Sequence, residues 1–226
     1  GRSLTGALAP PATAAAIALA GDTGYWILPA GVADVASPGF PSIKADLAFA
    51  DSLAPGERDL VVRAVAGGKF GAANVTPLTV TPPSLPSGVL VVSLRWSNDA
   101  DLDLHVVDPN GTEVFNRNPS SGPRPTPAPP DFVPDGGVLD VDSEASCVAD
   151  GARAENVVWS NPPPSGHYIV RVDTASMCGL PSSYWHAEAF LRGASLGAAE
   201  GIATDADTRF GHDRGAGVLA LEFDVP

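Results

Sequence analysis

The sequence predicts an all-β protein built from two β-sandwich domains. Hydrophobic residues make up 44% of the 226-residue chain and charged residues 17%, a balance that supports a buried core. The chain also holds 24 glycines and 23 prolines, a density that long helices do not tolerate. Between these turn-forming residues, short apolar runs with alternating polarity recur, as is typical of β-strands.

A proline-rich spacer marks the expected domain boundary. The stretch TPLTVTPPSLPSG covers residues 76–88, and its prolines favour an extended, stiff backbone. We therefore expect one domain over residues 1–84 and a second over residues 85–226. The first segment carries 5 basic and 6 acidic side chains, whereas the second carries 8 and 20. Nearly all the net charge of −13 thus belongs to the second domain.

The first segment is expected to form an immunoglobulin- or fibronectin-like sandwich. In SIKADLAFA, apolar residues alternate with Ser42, Lys44, Asp46 and Ala48, which is the period of a half-buried strand; the apolar positions are Ile43, Ala45, Leu47 and Phe49. Turns such as SPGFP and APGE recur at the spacing of a small sandwich. We interpret Tyr25 and Trp26 as core or interface aromatics and find no catalytic signature in this segment.

The second segment is expected to form a jelly-roll-like antiparallel sandwich. Eight strand-like runs follow one another without an amphipathic helix between them. They are interrupted at residues 120–137 by SSGPRPTPAPPDFVPDGG, a Pro-rich loop that is long for a compact domain, and loops of this length tend to be functional or mobile.

Net charge and hydropathy restrict the partners. A chain with 26 acidic and 13 basic residues is a poor match for nucleic acid, but it suits metal cations. No window reaches the roughly 20 apolar residues that a transmembrane helix needs. The chain lacks an initiator methionine, since its one methionine is Met177. We expect a mature or trimmed chain whose export signal has been removed, with a lipid anchor upstream of residue 1 left open.

The two cysteines favour a disulfide. Cys147 and Cys178 both lie in polar, loop-like sequence and have no CxxC or histidine neighbours that would indicate zinc. The alternative to a disulfide is that the two cysteines are unrelated buried thiols. A Cys147–Cys178 bridge implies an oxidising compartment, and we expect a periplasmic, cell-surface or extracellular protein.

Acidic residues concentrate at three places in the second segment. In NDADLDLHVVDPNG, Leu102 and Leu104 alternate with aspartates, so a strand there places the leucines in the core and the acids on the opposite face. Neighbouring carboxylates repel one another unless a cation or water screens them, and calcium prefers such oxygen ligands. The candidate ligands are Asp99, Asp101, Asp103, Asp140, Asp142 and Glu155.

Other interpretations of these acids stay open. Each acid can be a solvated turn former, because Asp is favoured at strand ends and turns, and the EF-hand pattern is missing. His105 would share the aspartate face, which suggests a surface imidazole or, less simply, a transition-metal ligand. A second ion site is conceivable at Asp205, Asp207 and Asp213.

The acidic region resembles a known bacterial family. The run from LRWSNDADLDLHVVDPNGTEVFNRN through GGVLDVDSE to ENVVWSNPPPSGHYIVRVDT is similar to a domain of unknown function in exported proteins with the YfaP-like signature. A looser likeness links D-L-D-L-x-V and the G-x-Y-x-V strand to pre-peptidase C-terminal and collagen-binding sandwiches. The resemblance covers about 90 residues and implies a β-sandwich accessory module and, by extension, calcium near the acids.

Together these observations predict a non-catalytic, exported binding or structural module with a calcium-stabilised sandwich. It would belong to a bacterial envelope or extracellular assembly and meet a protein or glycan partner at the cell surface. The alternatives are a carbohydrate-binding module, with contacts from the Pro-rich loop and exposed Tyr184 or Trp185, and an accessory domain of a secreted hydrolase. A carboxylate-based hydrolase is the enzyme that the acids would permit.

Overall fold

The computed structural model describes residues 2–47, 49, 53–81, 84–123, 127 and 135–226. The chain divides into two compact units, Gly1–Pro83 and Ser84–Pro226, one residue before the expected boundary. Most of the Pro-rich loop lies outside the described residues. In the described part, both units are built from antiparallel sheets without an α-helix, and short 3-10 turns occur in the second unit, so the predicted all-β class is confirmed.

The first unit contains two antiparallel sheets, with the orders β1-β5-β4 and β3-β2-β6-β7. This order matches the B-E-D and C′-C-F-G sheets of an immunoglobulin sandwich without its first strand. The strands are β1 (Arg2–Ala7), β2 (Ala14–Leu19), β3 (Trp26–Pro29), β4 (Gly31–Ala33), β5 (Pro41–Leu47), β6 (Gly56–Ala66) and β7 (Lys69–Val80).

The core of the first unit is small and aliphatic. Ile17 on β2 and Leu60 on β6 are 2% exposed and pack with Leu78 on β7. The prediction that Tyr25 and Trp26 contribute to the core is wrong, since their exposures are 57% and 59%, and their role at an interface stays a prediction. Trp26 begins β3, an edge strand that pairs with β2 alone in its sheet, so no second strand covers it.

The second unit is a sandwich of a four-stranded and a five-stranded sheet, with the orders β10-β9-β13-β16 and β11-β12-β8-β14-β15. Short 3-10 turns cover Ala145–Cys147 and Asp207–Arg209. The strands are β8 (Leu90–Trp96), β9 (Asp101–Val107), β10 (Glu113–Val114), β11 (Gly137–Leu139), β12 (Ala154–Trp159), β13 (Gly166–Ser176), β14 (Ser182–Leu191), β15 (Ala194–Thr204) and β16 (Val218–Val225).

The core of this unit lies between its two sheets. Leu94, Leu104 and Val170 contribute from three different strands and are fully buried. Trp159 and Trp185 belong to the same core, at 1% and 6% exposure. The suggestion that Trp185 is exposed for sugar stacking is therefore wrong, because its side chain faces the core between the two sheets. Among the described residues, no helix has the length and apolar content needed to cross a membrane.

Candidate metal centre

Strand β9 separates its side chains as the alternation predicts. Leu102 and Leu104 are fully buried in the core between the sheets, and Asp101, Asp103 and His105 alternate with them. The polar face is not open to solvent, however: the exposures of the three polar side chains are 5%, 2% and 0%. The expectation that this face carries a surface imidazole is wrong.

Two loop segments cover this outer face of β9 and β13. From the 3-10 turn Ala145–Cys147, the Ser146 amide donates a 2.8 Å hydrogen bond to Asp101 Oδ2. From the segment 205–217, His212 Nδ1 lies 2.8 Å from Asp173 Oδ2, and the Gly215 amide donates to the carboxylate of Glu113. Sequence periodicity predicts which face a side chain occupies but not that distant loops fold back over that face.

Three carboxylates converge beneath these loops. Among the described residues, Asp101, Asp103 and Asp142 each offer one oxygen, and the three oxygens lie within 4.8 Å of one another. Asp101 and Asp103 come from β9, and Asp142 follows β11 from the other sheet. Two oxygens bound to one Ca²⁺ at about 2.4 Å are at most about 4.8 Å apart, so the cluster has the dimensions of a calcium site.

One oxygen of this cluster lacks a protein partner. Asp101 Oδ1 is buried and accepts no hydrogen bond from any described residue. A buried carboxylate oxygen without a partner costs free energy, and a cation is the strongest available compensation. Asp103 is better satisfied, because Asn116 Nδ2 donates to its Oδ1 at 3.1 Å.

Asp173 is a fourth carboxylate that the sequence did not single out. It lies on β13 directly opposite Asp103, is 1% exposed, and leaves Oδ1 without a hydrogen bond among the described residues. Alternation in GHYIVRVDT places Asp173 on the face opposite Val172, which is the signal that could have found it. That pattern does not predict the antiparallel register that brings Asp173 beside Asp103.

Glu155 lies beside the cluster but has a different local role. It is fully buried on β12, and its two oxygens accept hydrogen bonds from the amides of Leu104 at 2.7 Å and Ser143 at 3.1 Å. The first bond joins the two sheets, and the second fixes the residue that follows Asp142. Glu155 therefore holds the framework of the site.

Two predicted ligands lie outside the cluster. Asp99 forms an ion pair with Arg153, whose Nε is 2.7 Å from Asp99 Oδ1. Asp140 accepts hydrogen bonds from the backbone and side-chain amides of Asn156, both at 2.8 Å. Each of these acids is thus engaged by a partner of its own.

Burial and mutual repulsion set the electrostatics. The pKa of Asp103 is raised to about 7, mainly by burial and also by repulsion from Asp101, Asp142 and Asp173. The pKa of Asp101 is also raised, by burial first and by Asp142, although the Ser146 amide opposes the shift. Burial likewise raises the pKa of Glu155 well above its ordinary value, against the effect of its two amide donors. In the folded site without a cation, ionising all of these carboxyl groups together is therefore unfavourable.

The predicted disulfide is present beside the cluster. Cys147 and Cys178 form a bridge with a Cα–Cα distance of 5.5 Å. It closes a loop of 31 residues in sequence, which on chain-entropy grounds stabilises the fold by about 3–4 kcal/mol. The bridge ties the covering turn to the end of β13.

The other residues that the sequence suggested as metal ligands do not join this cluster. His105 Nδ1 lies 2.8 Å from Glu113 Oε1, and the ring stacks on Phe115. Asp207 accepts from the amide and hydroxyl of Thr204, and Asp213 pairs with Arg117. Within the described chain, Asp205, Asp207 and Asp213 do not form a group with metal-binding geometry.

The arrangement is suited to holding a hard cation. All its close ligand atoms are carboxylate oxygens, which calcium and magnesium prefer and softer metals do not.

No protein-family model matches this sequence, and no curated protein matches it either.

Proposed function

We propose that the chain is a non-catalytic, exported binding or structural module whose second unit is stabilised by calcium bound at Asp101, Asp103 and Asp142. The observation that carries this proposal is the buried, unpartnered Oδ1 of Asp101 within a three-carboxylate cluster. The side chain of Asp173 adds a fourth carboxyl group next to Asp103. A divalent cation would neutralise charges that otherwise destabilise the folded state.

Calcium is favoured over other divalent ions by the nature of the site. Its donors come from a strand and an irregular segment, and calcium accepts such variable geometry, whereas magnesium requires a near-ideal octahedron. Transition metals prefer imidazole or thiolate, but His212 uses Nδ1 to contact Asp173, and both cysteines are bridged.

Export is supported by the disulfide, and it is what the resemblance of residues 90–175 to domains of exported bacterial proteins would imply. Disulfides persist in oxidising compartments, and an extracellular or periplasmic setting also supplies calcium. We propose that the module acts in the envelope or an extracellular assembly, where it presents its surface to a protein or glycan partner.

The test is thermal unfolding with and without calcium. A hundredfold excess of calcium over its dissociation constant should add about 3 kcal/mol, which raises the melting temperature of a unit of this size by roughly 5–15 °C. Asp142→Asn should remove this increase, because it deletes the exposed member of the cluster while leaving the buried framework in place.

Asp99→Asn is the matched control. It removes the same charge and was predicted from the sequence as a ligand, but it lies outside the cluster and pairs with Arg153. The calcium-induced increase should survive in this variant. Equal melting temperatures of the wild-type protein in calcium and in chelator would contradict the proposal, as would an undiminished calcium effect in Asp142→Asn.

A further inference from the structure

We propose that the Cys147–Cys178 disulfide and the cation site are coupled, so that the intact bridge strengthens calcium binding and bound calcium protects the bridge from reduction. This inference rests on the proposed calcium site and adds a redox control to it. The coupling is local, because both ends of the bridge are adjacent to groups that contact Asp101.

The first link runs through the covering turn. Cys147 is the last residue of the turn Ala145–Cys147, and the preceding residue, Ser146, donates its amide to Asp101 Oδ2 at 2.8 Å. The position of this donor therefore depends on where the turn is held. Cys147 itself is an exposed residue.

The second link runs through the end of β13. Ser176 is the cross-strand partner of Asp101, and its Oγ accepts a 3.1 Å hydrogen bond from the Cys178 amide. Cys147 Sγ lies 3.4 Å from the same hydroxyl. The bridge thus joins the turn to Cys178, whose amide is hydrogen-bonded to the strand residue opposite the buried aspartate.

The third link is the strained backbone of the covering segment. Glu144, Ser146 and Cys147 have φ values of 61°, 55° and 62°, in the left-handed region that costs non-glycine residues about 1 kcal/mol or more each. Such a conformation persists only when tertiary contacts impose it. The bridge is one of those contacts, and the same segment carries Asp142 into the cluster.

Opening the bridge should therefore loosen the turn and withdraw both the Ser146 amide and the Asp142 carboxylate from optimal positions. Reduction by a dithiol such as dithiothreitol transfers two electrons and two protons to the bond. It yields two cysteine thiols and the cyclic disulfide of the reductant. Because coupling between two equilibria is reciprocal, calcium must shift the reduction equilibrium by the factor by which reduction weakens calcium affinity.

The experiment uses the full chain and measures two effects: that of the disulfide on calcium affinity and that of calcium on disulfide reduction. Calorimetric titration with calcium should give a dissociation constant about tenfold or more weaker for the Cys147→Ser/Cys178→Ser double variant than for the oxidised wild-type protein. Separately, the fraction of reduced wild-type protein in dithiothreitol redox buffers is measured in calcium and in chelator. Calcium should shift the reduction midpoint toward more reducing buffers by a matching factor.

Asp142→Asn is the control, since calcium should leave its reduction midpoint unchanged. If the oxidised wild-type protein binds no calcium, the proposed function itself fails. If it binds calcium but its reduction midpoint is the same in calcium and chelator, the coupling is refuted. The midpoint comparison uses wild-type protein and decides the question even if the double variant does not fold.

Discussion

Replacing Glu155 by alanine is expected to lower the free energy of unfolding of the second unit by about 3–5 kcal/mol, because two buried amides lose their acceptor. The Leu104 amide belongs to β9, and the Ser143 amide belongs to a residue with no solvent exposure. Each unsatisfied donor costs about 1–3 kcal/mol, and the lost side-chain volume adds to this.

Urea denaturation followed by tryptophan fluorescence measures this effect, since three of the four tryptophans are buried in the second unit. Glu155→Gln retains one acceptor oxygen and should fall between alanine and wild type. Glu200→Ala, at a 49%-exposed glutamate on β15, is the control and should stay within about 0.5 kcal/mol of wild type. An alanine variant as stable as wild type would show that the sheets do not depend on this carboxyl group.

In chelator, the second unit is expected to lose stability as the pH rises from about 4 to about 7. A carboxyl group whose pKa is raised on folding binds its proton more tightly in the folded state, so its stabilising contribution is present at low pH and is lost as the pH passes through the folded pKa. For Asp103, with a pKa of about 7, the loss amounts to about 4 kcal/mol. The raised pKa values of Asp101, Asp142 and Glu155 act in the same direction.

Urea denaturation at pH 5 and pH 8 checks this, and Asp103→Asn isolates the main group. The asparagine keeps a carbonyl that can accept from Asn116 but carries no charge. This variant should be more stable than wild type by about 2–4 kcal/mol at pH 8 in chelator, and should show a much smaller pH dependence. It should also lose its response to calcium. Asp99→Asn should retain the wild-type pH profile, and a wild-type protein more stable at pH 8 than at pH 5 in chelator would contradict the expected sign.

In wild-type protein, calcium should remove most of this pH dependence. A cation competes with protons for the same oxygens and binds the ionised form, so its stabilising effect grows as the pH rises. The same acids that destabilise the metal-free protein at neutral pH would then become the source of its calcium-dependent stability.

The fold class and the side-chain faces of β9 could be predicted from the amino-acid sequence alone. Dense Gly/Pro turns and period-two alternation predicted β-sandwiches, because a pleated strand sends successive side chains to opposite faces. This reasoning placed Leu102 and Leu104 in the core and Asp101 and Asp103 together on the other face. The cysteine pairing was predicted from the local context of the two residues and is confirmed.

Which acidic side chains lie together depends on long-range contacts in the folded chain. The register of β9 against β13 places Asp173 beside Asp103, and the chain path after β11 brings in Asp142, whereas Asp99 and Asp140 are drawn to Arg153 and Asn156. Local spacing does not encode these pairings, since each depends on residues about 15 to 70 positions apart in the sequence. Burial of the polar face of β9 could not be predicted from the local sequence either, because it results from two distant loops that fold over one sheet.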